Sequence, residues 1–351
     1  MFARVSRYRG SISLRGSKRL SVIVASLVVV LITGAGKSLA ADQVRVGSIP
    51  SLLALPLYLA IESDFFSKQN IDVQLTVMGN TLPAIIAGDI DVAFVGPESA
   101  IISSARGKPT PAIAALQSRN SMSLSASTKL QTPNKSSGYP KSMLDLKDKT
   151  IGIPTRGSSA EMFAKQVLAG AGYEEGRDYS VVVLNSGANV VAALRAGQFD
   201  AGVLFPPFGE QAWASGSAIP MVEEAKGEGP TYRGVGAGVS VNANIDWLKR
   251  NLPVAKRFTQ ALADAAAFNR DFEKNKDTLM KVAKKYVGGM DDSLLESAIR
   301  NQAKLAYVGI DCDSWRKTAE GLVSINLITS VPKCEDIAAP DIAPKDFPPS
   351  H

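Results

Sequence analysis

The chain has 351 residues, a formal net charge of +6 and a single histidine, which is its last residue, His351. That position excludes catalytic triads and metal sites that depend on histidine, and two distant cysteines do not form a metal cluster. The positive charge does not indicate a nucleic-acid partner, because residues 1–40 contain seven basic and no acidic residues and leave −1 for the remainder. The remaining length is sufficient for two lobes with separate cores.

Residues 1–40 have the pattern of a secretory signal peptide. A basic lead precedes an apolar run at 20–32, and Ser38-Leu39-Ala40 supplies the small residues that a signal peptidase requires. The apolar run is shorter than the roughly 20 residues that a transmembrane helix needs. We therefore predict export and cleavage after Ala40. An uncleaved segment that anchors the protein to the membrane is the alternative.

Residues 42–116 alternate between strand and helix patterns. Strand patterns at 44–47, 71–77 and 112–116 are separated by helical spacing at 55–67 and 82–87. Within this stretch, Gly88 suits a helix end because glycine adopts the left-handed conformation without a Cβ penalty. A buried parallel strand is predicted after Asp91, and it ends at Gly96-Pro97. This order predicts a mostly parallel sheet with right-handed crossovers.

The same pattern begins again after a strand-like crossing at 122–127 and a polar loop. Strand patterns at 149–154 and 179–184 resemble the first two, and residues 196–206 repeat the element at 87–97, with Gly197 and Asp200 at the matching positions. Each copy ends in a loop at the carboxyl end of a strand, which is where open α/β sheets bind ligands. We therefore predict two similar lobes that face each other across a cleft.

From residue 244 onward the chain changes to helix patterns, with capping residues near most of the helix starts. A helical third cannot complete the second lobe, so we expect it to return to the first through a second crossing at 234–241. The predicted organisation is a signal peptide at 1–40, lobe 1 at 42–124 and 238–335, lobe 2 at 125–237, and a loosely held proline-rich tail at 336–351.

Cys312 and Cys334 are the only cysteines of the sequence. An even pair in an exported chain indicates one disulfide, and two free thiols are the alternative. The bridge would tie the last long helix to the tail.

Seven segments form a recognisable series: Leu57-Tyr58-Leu59-Ala60, Phe65-Phe66, Ile71-Asp72-Val73, 87–96, 144–149, Gly157-Ser158-Ser159 and 196–201. In their order and spacing they resemble an extracytoplasmic solute-binding protein of an ABC importer, in the branch that binds nitrate, sulfonates, taurine and thiamine pyrimidines. The resemblance implies an α/β, two-lobed, periplasmic-binding-protein-like (type II) fold with parallel-rich sheets, two crossover hinge strands and a helical C-terminal third. It also implies a periplasmic monomer without a cofactor, which carries a small-molecule ligand to an ABC permease in the cytoplasmic membrane.

Four loops at predicted helix starts are candidates for ligand contacts, because free N–H groups and the helix dipole favour anions there. Arg119 and Arg156 lie at strand ends, where an arginine could hold a carboxylate or sulfonate with two hydrogen bonds. Glu98 would select a ligand with a hydrogen-bond donor or a positive group, and Phe205 would form an apolar wall. Each candidate also has a structural alternative. The loop residues could cap helices, the arginines could be solvated, Glu98 could be a carboxylate at a helix start, and Phe205 could pack between the lobes. The candidate loop residues are Ser51, Asn80, Thr81, Ser158, Ser159 and Asn189.

These residues predict binding of a small organic anion, a sulfonate or a carboxylate. Nitrate is less favoured because Glu98 stands where many members of the similar family have small or apolar residues. A heteroaromatic ligand similar to a thiamine pyrimidine is one alternative, and a secreted α/β enzyme that uses carboxylates alone is another. No catalytic residue is predicted, because the histidine and cysteine-rich motif of the fungal pyrimidine synthases is absent. A sensory role instead of transport stays open.

Overall fold

The computed structural model of the chain describes residues 40–230 and 238–344. The predicted signal peptide, except for Ala40, and much of the predicted crossing at 234–241 lie outside these residues. Ten strands occur in the described part: β1 (Asp42–Ser48), β2 (Ile71–Val77), β3 (Val92–Val95), β4 (Ala112–Ala115), β5 (Ser123–Ser127), β6 (Lys149–Ile153), β7 (Tyr179–Val183), β8 (Ala201–Leu204), β9 (Ala218–Glu223) and β10 (Ser240–Ala243).

Helices follow most of these strands, and six of the thirteen α-helices in residues 40–230 and 238–344 come after β10. None of the helices in the described ranges is both long and apolar enough to cross a membrane. The helices are α1 (Leu55–Glu62), α2 (Phe65–Lys68), α3 (Leu82–Ala87), α4 (Pro97–Ala105), α5 (Ser159–Ala169), α6 (Gly187–Ala196), α7 (Phe208–Ala214), α8 (Ile245–Arg250), α9 (Leu252–Arg270), α10 (Phe272–Val287), α11 (Asp292–Ala303), α12 (Cys312–Ser324) and α13 (Cys334–Ile337).

The strands form two five-stranded sheets with matching topology, β2-β1-β3-β10-β4 and β7-β6-β8-β5-β9. In the first sheet β1 is parallel to β2 and β3, whereas β10 is antiparallel to both β3 and β4. The second sheet repeats this arrangement, with β5 as its antiparallel strand. Four strands in each sheet therefore point in one direction, and the parallel-rich prediction is confirmed.

The chain passes between the two sheets twice, from β4 to β5 and from β9 to β10. Each crossing strand enters the receiving sheet as its antiparallel member, so it is held by hydrogen bonds on both sides. The two predicted crossovers are therefore present. The sequence boundaries that we gave to the two lobes stay predictions.

The C-terminal helices pack on the first sheet. Phe258 and Leu262 of α9 and Leu279 of α10 are fully buried with Leu57 of α1 and Val46 of β1 in one hydrophobic cluster. The second sheet has its own cluster, in which Phe163 and Val167 of α5 cover the strands. Burial of side chains of this size is worth about 1.5–3 kcal/mol each.

The repeated element has the same local structure in both sheets. Gly88 and Gly197 end α3 and α6 with φ of 80° and 74°, the left-handed conformation that the sequence predicted. Asp91 Oδ2 accepts a hydrogen bond from the backbone N–H of Arg45 at 2.9 Å, and Asp200 Oδ2 accepts one from Thr150 at 2.8 Å. The repeated aspartate therefore joins the start of one parallel strand to its neighbour.

Replacement of Asp91 by alanine is expected to lower the free energy of unfolding by about 1–3 kcal/mol, because it leaves the Arg45 N–H without that acceptor. Asp91→Asn keeps an acceptor oxygen and should have a smaller effect. Urea-induced unfolding measures both, with Asp89→Ala as the control, since Asp89 is exposed on the same element. A loss for Asp89→Ala as large as that for Asp91→Ala would contradict this role.

The C-terminal segment is packed as far as residue 344, so the expectation of a loose tail from 336 is wrong for this part. The predicted disulfide between Cys312 and Cys334 is present and joins the start of α12 to α13. Ala338 then bridges to Ala112 of β4, and Thr259 Oγ1 donates a hydrogen bond to the Ile342 carbonyl at 2.8 Å. The apolar residues between the prolines cause this packing. They are Ile337, Ala338, Ile342 and Ala343, all buried.

Candidate functional site

Loops from the carboxyl ends of both sheets surround a cavity of about 520 Å³, which we call the first cavity. The loops after β1, β2 and β3 face those after β6, β7 and β8, as the repeated topology requires. The end of α10 closes one side with Tyr286, Val287 and Gly288. The cavity therefore lies where an α/β fold of this kind binds ligands.

Two helices of the second sheet begin at this cavity. Ser158 caps α5 by accepting a hydrogen bond from the Glu161 N–H at 3.4 Å, and Ser186 caps α6 by accepting one from the Asn189 N–H at 3.1 Å. The first N–H groups of a helix have no acceptor within the helix. At the starts of α5 and α6, four N–H groups have no hydrogen-bond acceptor in the described part of the chain. They belong to Ser159, Ala160, Gly187 and Ala188, and all four residues line the cavity.

Every described side chain that lines the first cavity is uncharged. The polar ones are hydroxyls and amides, including Thr155 and Asn185, and the apolar ones include Phe205, Phe208 and Met122. Phe205 and Phe208 contact edge to face, with ring centroids 5.3 Å apart. A charged ligand group would therefore be met by backbone N–H groups and helix dipoles and not by a counter-charge.

Five of the ten residues that the sequence selected line this cavity: Asn80, Thr81, Ser158, Ser159 and Phe205. Thr81 is nearly buried and donates its hydroxyl proton to the Phe94 carbonyl, while Asn80 Oδ1 accepts from the Leu82 N–H at 3.1 Å. Both side chains therefore also cap or tie the loops that carry them.

The structure does not bring the other five residues, Ser51, Glu98, Arg119, Arg156 and Asn189, into the lining. Arg156 is held away by Glu161 at 2.7 Å and Glu175 at 2.6 Å, and these hydrogen bonds raise the pKa of Arg156. Asn189 Nδ2 donates to the Leu184 carbonyl at 2.7 Å. Arg119 lies beside Gly227. For Arg156 and Asn189, the local partners explain the placement.

Ser51 and Glu98 instead connect the two sheets. Ser51 Oγ donates to the Pro206 carbonyl at 3.1 Å, and Glu98 Oε2 accepts from Ser159 Oγ at 2.8 Å. Ser99 Oγ donates to the Gly157 carbonyl at 3.0 Å. We call the two hydrogen bonds between the start of α4 and the start of α5 the α4–α5 contact. Both partners of the Ser159–Glu98 bond are more than nine-tenths buried.

The α4–α5 contact leaves no room for a side chain at residue 96. A Cβ atom placed on Gly96 would lie 1.4 Å from Ser159 Oγ. The φ of Gly96 is −75°, which any residue adopts, so the glycine is needed for space and not for backbone conformation. A side chain at residue 96 would therefore overlap Ser159 only while the two sheets are held together as in this structure.

Sequence reasoning missed Tyr286, which reaches the cavity from α10. Its ring stacks on Tyr58 with centroids 4.0 Å apart and planes 3° from parallel. Its hydroxyl donates to Glu62 Oε1 at 2.6 Å, and Lys285 Nζ contacts the same oxygen at 2.7 Å. Burial, followed by this hydrogen bond, raises the pKa of Tyr286, while burial raises the pKa of Tyr58 to about 12. The only sequence signal was the aromatic residue directly before the Val-Gly-Gly break at 287–289.

The sequence is similar to a known protein family and to one curated protein. Residues 54–271 match the model of the family described as NMT1/THI5 like. The protein YtlA of Bacillus subtilis (strain 168) is 25% identical over 231 residues, which is 64% of this chain. The match spans 65% of the length of YtlA, slightly less than two thirds.

Two solved binding proteins have similar structures. The alkanesulfonate-binding protein SsuA from Xanthomonas axonopodis pv. citri, bound to MOPS, is 21% identical with a TM-score of 0.66, over 84% of this chain and 96% of SsuA. The periplasmic nitrate-binding protein NrtA from Synechocystis PCC 6803 is 16% identical with a TM-score of 0.67, over 86% of this chain and 87% of NrtA. At these identities the likeness shows the fold, and the predicted periplasmic-binding-protein-like fold is confirmed.

The fold is not restricted to binding proteins. The desulfurization enzyme DSZB is 16% identical with a TM-score of 0.56, over 86% of this chain and 97% of the enzyme. The choice between binding and catalysis therefore depends on the residues of the cavity.

Proposed function

The chain belongs to the NMT1/THI5-like family, and from this we propose that it is the periplasmic substrate-binding component of an ABC importer that captures a small organic anion. The ligand would be a sulfonate or a carboxylate, held in the first cavity between the two sheets. The observation that carries this proposal is the pair of helix starts with unpaired N–H groups in an otherwise uncharged, largely apolar cavity.

The N–H groups at the starts of α5 and α6 are the reason for proposing an anionic group in the ligand. Ser159 and Ala160 would offer N–H donors from one helix, and Gly187 and Ala188 from the other. Helices of eleven and ten residues place partial positive charge at these ends. An anion bound this way keeps the site free of a buried arginine or lysine, in agreement with the uncharged lining.

The walls of the cavity support an organic rather than an inorganic anion. Phe205, Phe208, Tyr286 and Met122 supply apolar surface, and a volume of about 520 Å³ lies within the range of pockets that hold drug-sized ligands. Nitrate would leave most of this surface without a contact. The neighbour SsuA was solved with MOPS, which joins a sulfonate to a bulky organic group.

We propose binding without turnover. The described lining of the first cavity contains no carboxylate, so it offers no group for the acid–base chemistry that the enzyme alternative needs. Glu98, the one carboxylate among the residues that the sequence selected, lies outside the lining and accepts a hydrogen bond from Ser159. A pyrimidine ligand is the second candidate, since the aromatic walls would also stack on a heteroaromatic ring.

The test is calorimetry of the exported protein against nitrate, taurine, MOPS, alkanesulfonates, aromatic carboxylates and a thiamine pyrimidine. We expect the tightest binding from an anion with an apolar group. Ser159→Leu should obstruct the start of α5 and weaken that binding by about ten- to a hundredfold, because it removes charge-assisted hydrogen bonds.

Ser136→Leu is the matched control, since Ser136 is exposed and does not line the first cavity, and it should leave affinity unchanged. Tight binding of a neutral or cationic compound with no anion bound would overturn the ligand class. Chemical conversion of the bound compound, followed by mass spectrometry, would overturn the binding role.

A further inference from the structure

A second cavity of about 400 Å³ lies next to the first. Met122 and Phe205 line both cavities and so form the partition between them. On the side of the second sheet, the other walls come from α7 and from the residues that follow β9. On the side of the first sheet, they come from the end of α11. Nothing in the proposed anion site uses this space.

The second cavity differs from the first because it contains charged side chains. Glu210 of α7 and Glu223 at the end of β9 are both in its lining, together with Lys226 and with Lys304, which is exposed after α11. Glu223 Oε1 is hydrogen-bonded by Lys226 Nζ at 2.5 Å, so its charge is compensated locally. Glu210 is different, because within the described ranges its carboxylate forms no ion pair, accepts a hydrogen bond from its own backbone N–H and lies close enough to Glu223 to be affected by its charge.

Glu210 Oε2 is buried and has no hydrogen-bond partner among residues 40–230 and 238–344. Burial, with a further contribution from Glu223, raises the pKa of Glu210. A buried carboxylate oxygen without a partner is costly, because its transfer from water is not offset by a hydrogen bond or an opposite charge. A ligand that brings both a donor and a positive charge would remove this cost.

The groups around Glu210 suit a ligand of this kind. Trp213 lies one turn further along α7, and its Nε1 donates to Ser125 Oγ at 3.0 Å, which fixes the ring beside the cavity. Aromatic faces such as those of Trp213 and Phe205 attract cations. Ser121 and Gln302 form a hydrogen-bonded pair at 2.9 Å on the opposite wall and offer polar contacts.

We propose that the second cavity binds a small organic cation, a primary ammonium compound, with its N–H groups donating to Glu210 Oε2 and its apolar part against Trp213 and Phe205. The site is separate from the anion site and does not depend on the proposed transport function. Because α11 packs on the first sheet and α7 on the second, the bound cation contacts elements of both.

The test uses benzylammonium as the probe, with benzyl alcohol as the neutral analogue and benzoate as the anionic one, on the full mature protein. Calorimetry and tryptophan fluorescence should detect benzylammonium but not benzyl alcohol or benzoate at the same site. Glu210→Gln keeps the side-chain shape and removes the charge, so affinity should fall by about ten- to a hundredfold.

Two further variants make the result specific. Ala225→Trp adds bulk at an exposed edge of the second cavity and should also weaken benzylammonium binding. Glu335→Gln changes an exposed carboxylate of α13, 75% accessible, and should have no effect. Equal affinity of Glu210→Gln and the unmodified protein, or equal binding of benzylammonium and benzyl alcohol, would overturn the proposal.

Discussion

Gly96→Ala is expected to weaken ligand binding by about a hundredfold while leaving the ligand-free protein folded. The backbone at residue 96 has φ −75° and ψ 144°, which alanine adopts without strain. The new Cβ would overlap Ser159 Oγ at 1.4 Å and Ser159 Cβ at 2.4 Å. Because Ser159 begins a helix of the second sheet and Gly96 precedes one of the first, the overlap arises only when the two sheets approach as in this structure.

The effect would be measured by calorimetry with the anion that binds most tightly to the unmodified protein, and by small-angle scattering. Scattering should show a larger radius of gyration for Gly96→Ala with ligand than for the unmodified protein. Gly79→Ala is the matched control, since Gly79 lines the same cavity but its nearest atom would be 3.9 Å from a Cβ. Equal affinities of the two variants would show that the α4–α5 contact is not required for binding.

A double variant separates overlap from other causes. Gly96→Ala combined with Ser159→Gly removes the side chain that the alanine meets, although it also removes the hydrogen bond to Glu98. We expect partial recovery of affinity, by about tenfold relative to Gly96→Ala alone. Failure to recover would point to an effect of residue 96 on the loop itself.

Replacement of both Cys312 and Cys334 by serine is expected to lower the free energy of unfolding by about 3 kcal/mol. The two residues are 22 positions apart, and the chain-entropy model gives this value for a loop of that length. The bridge also holds α13, from which the chain continues to the contact between Ala338 and Ala112 of β4. The edge of the first sheet should therefore loosen together with α13.

Urea-induced unfolding of the oxidised protein, the reduced protein and the double variant measures this effect. Reduced protein and double variant should agree with each other and lie below the oxidised protein. Ligand affinity should not change, because neither cysteine lines the first cavity. Coincident unfolding curves for all three would contradict a stabilising role for the disulfide.

The sequence by itself determined the local structure and the order of the elements. The left-handed helix ends at Gly88 and Gly197 and the serine cap of α5 depend on residues only a few positions apart, so a single sequence predicts them. The repeat of the strand–helix pattern predicted the two sheets, because each copy has its own hydrophobic periodicity and its own helix-ending glycine, and both are local features of the sequence. The even cysteine count predicted the disulfide.

Only the tertiary structure decided which side chains meet at the cavity. Arg156 was expected to contact the ligand, but it forms ion pairs with Glu161 and Glu175 instead. Glu175 is 19 residues away along the chain and becomes a neighbour of Arg156 only through folding. Glu98 contacts Ser159, which is 61 residues away along the chain, and Tyr286 is 224 residues away from its partner Glu62. The apolar residues after Cys334 became buried because β4 offered an edge to cover. Contacts of this kind depend on how the elements pack against one another, and packing follows from shape and burial over the whole molecule and not from any local pattern.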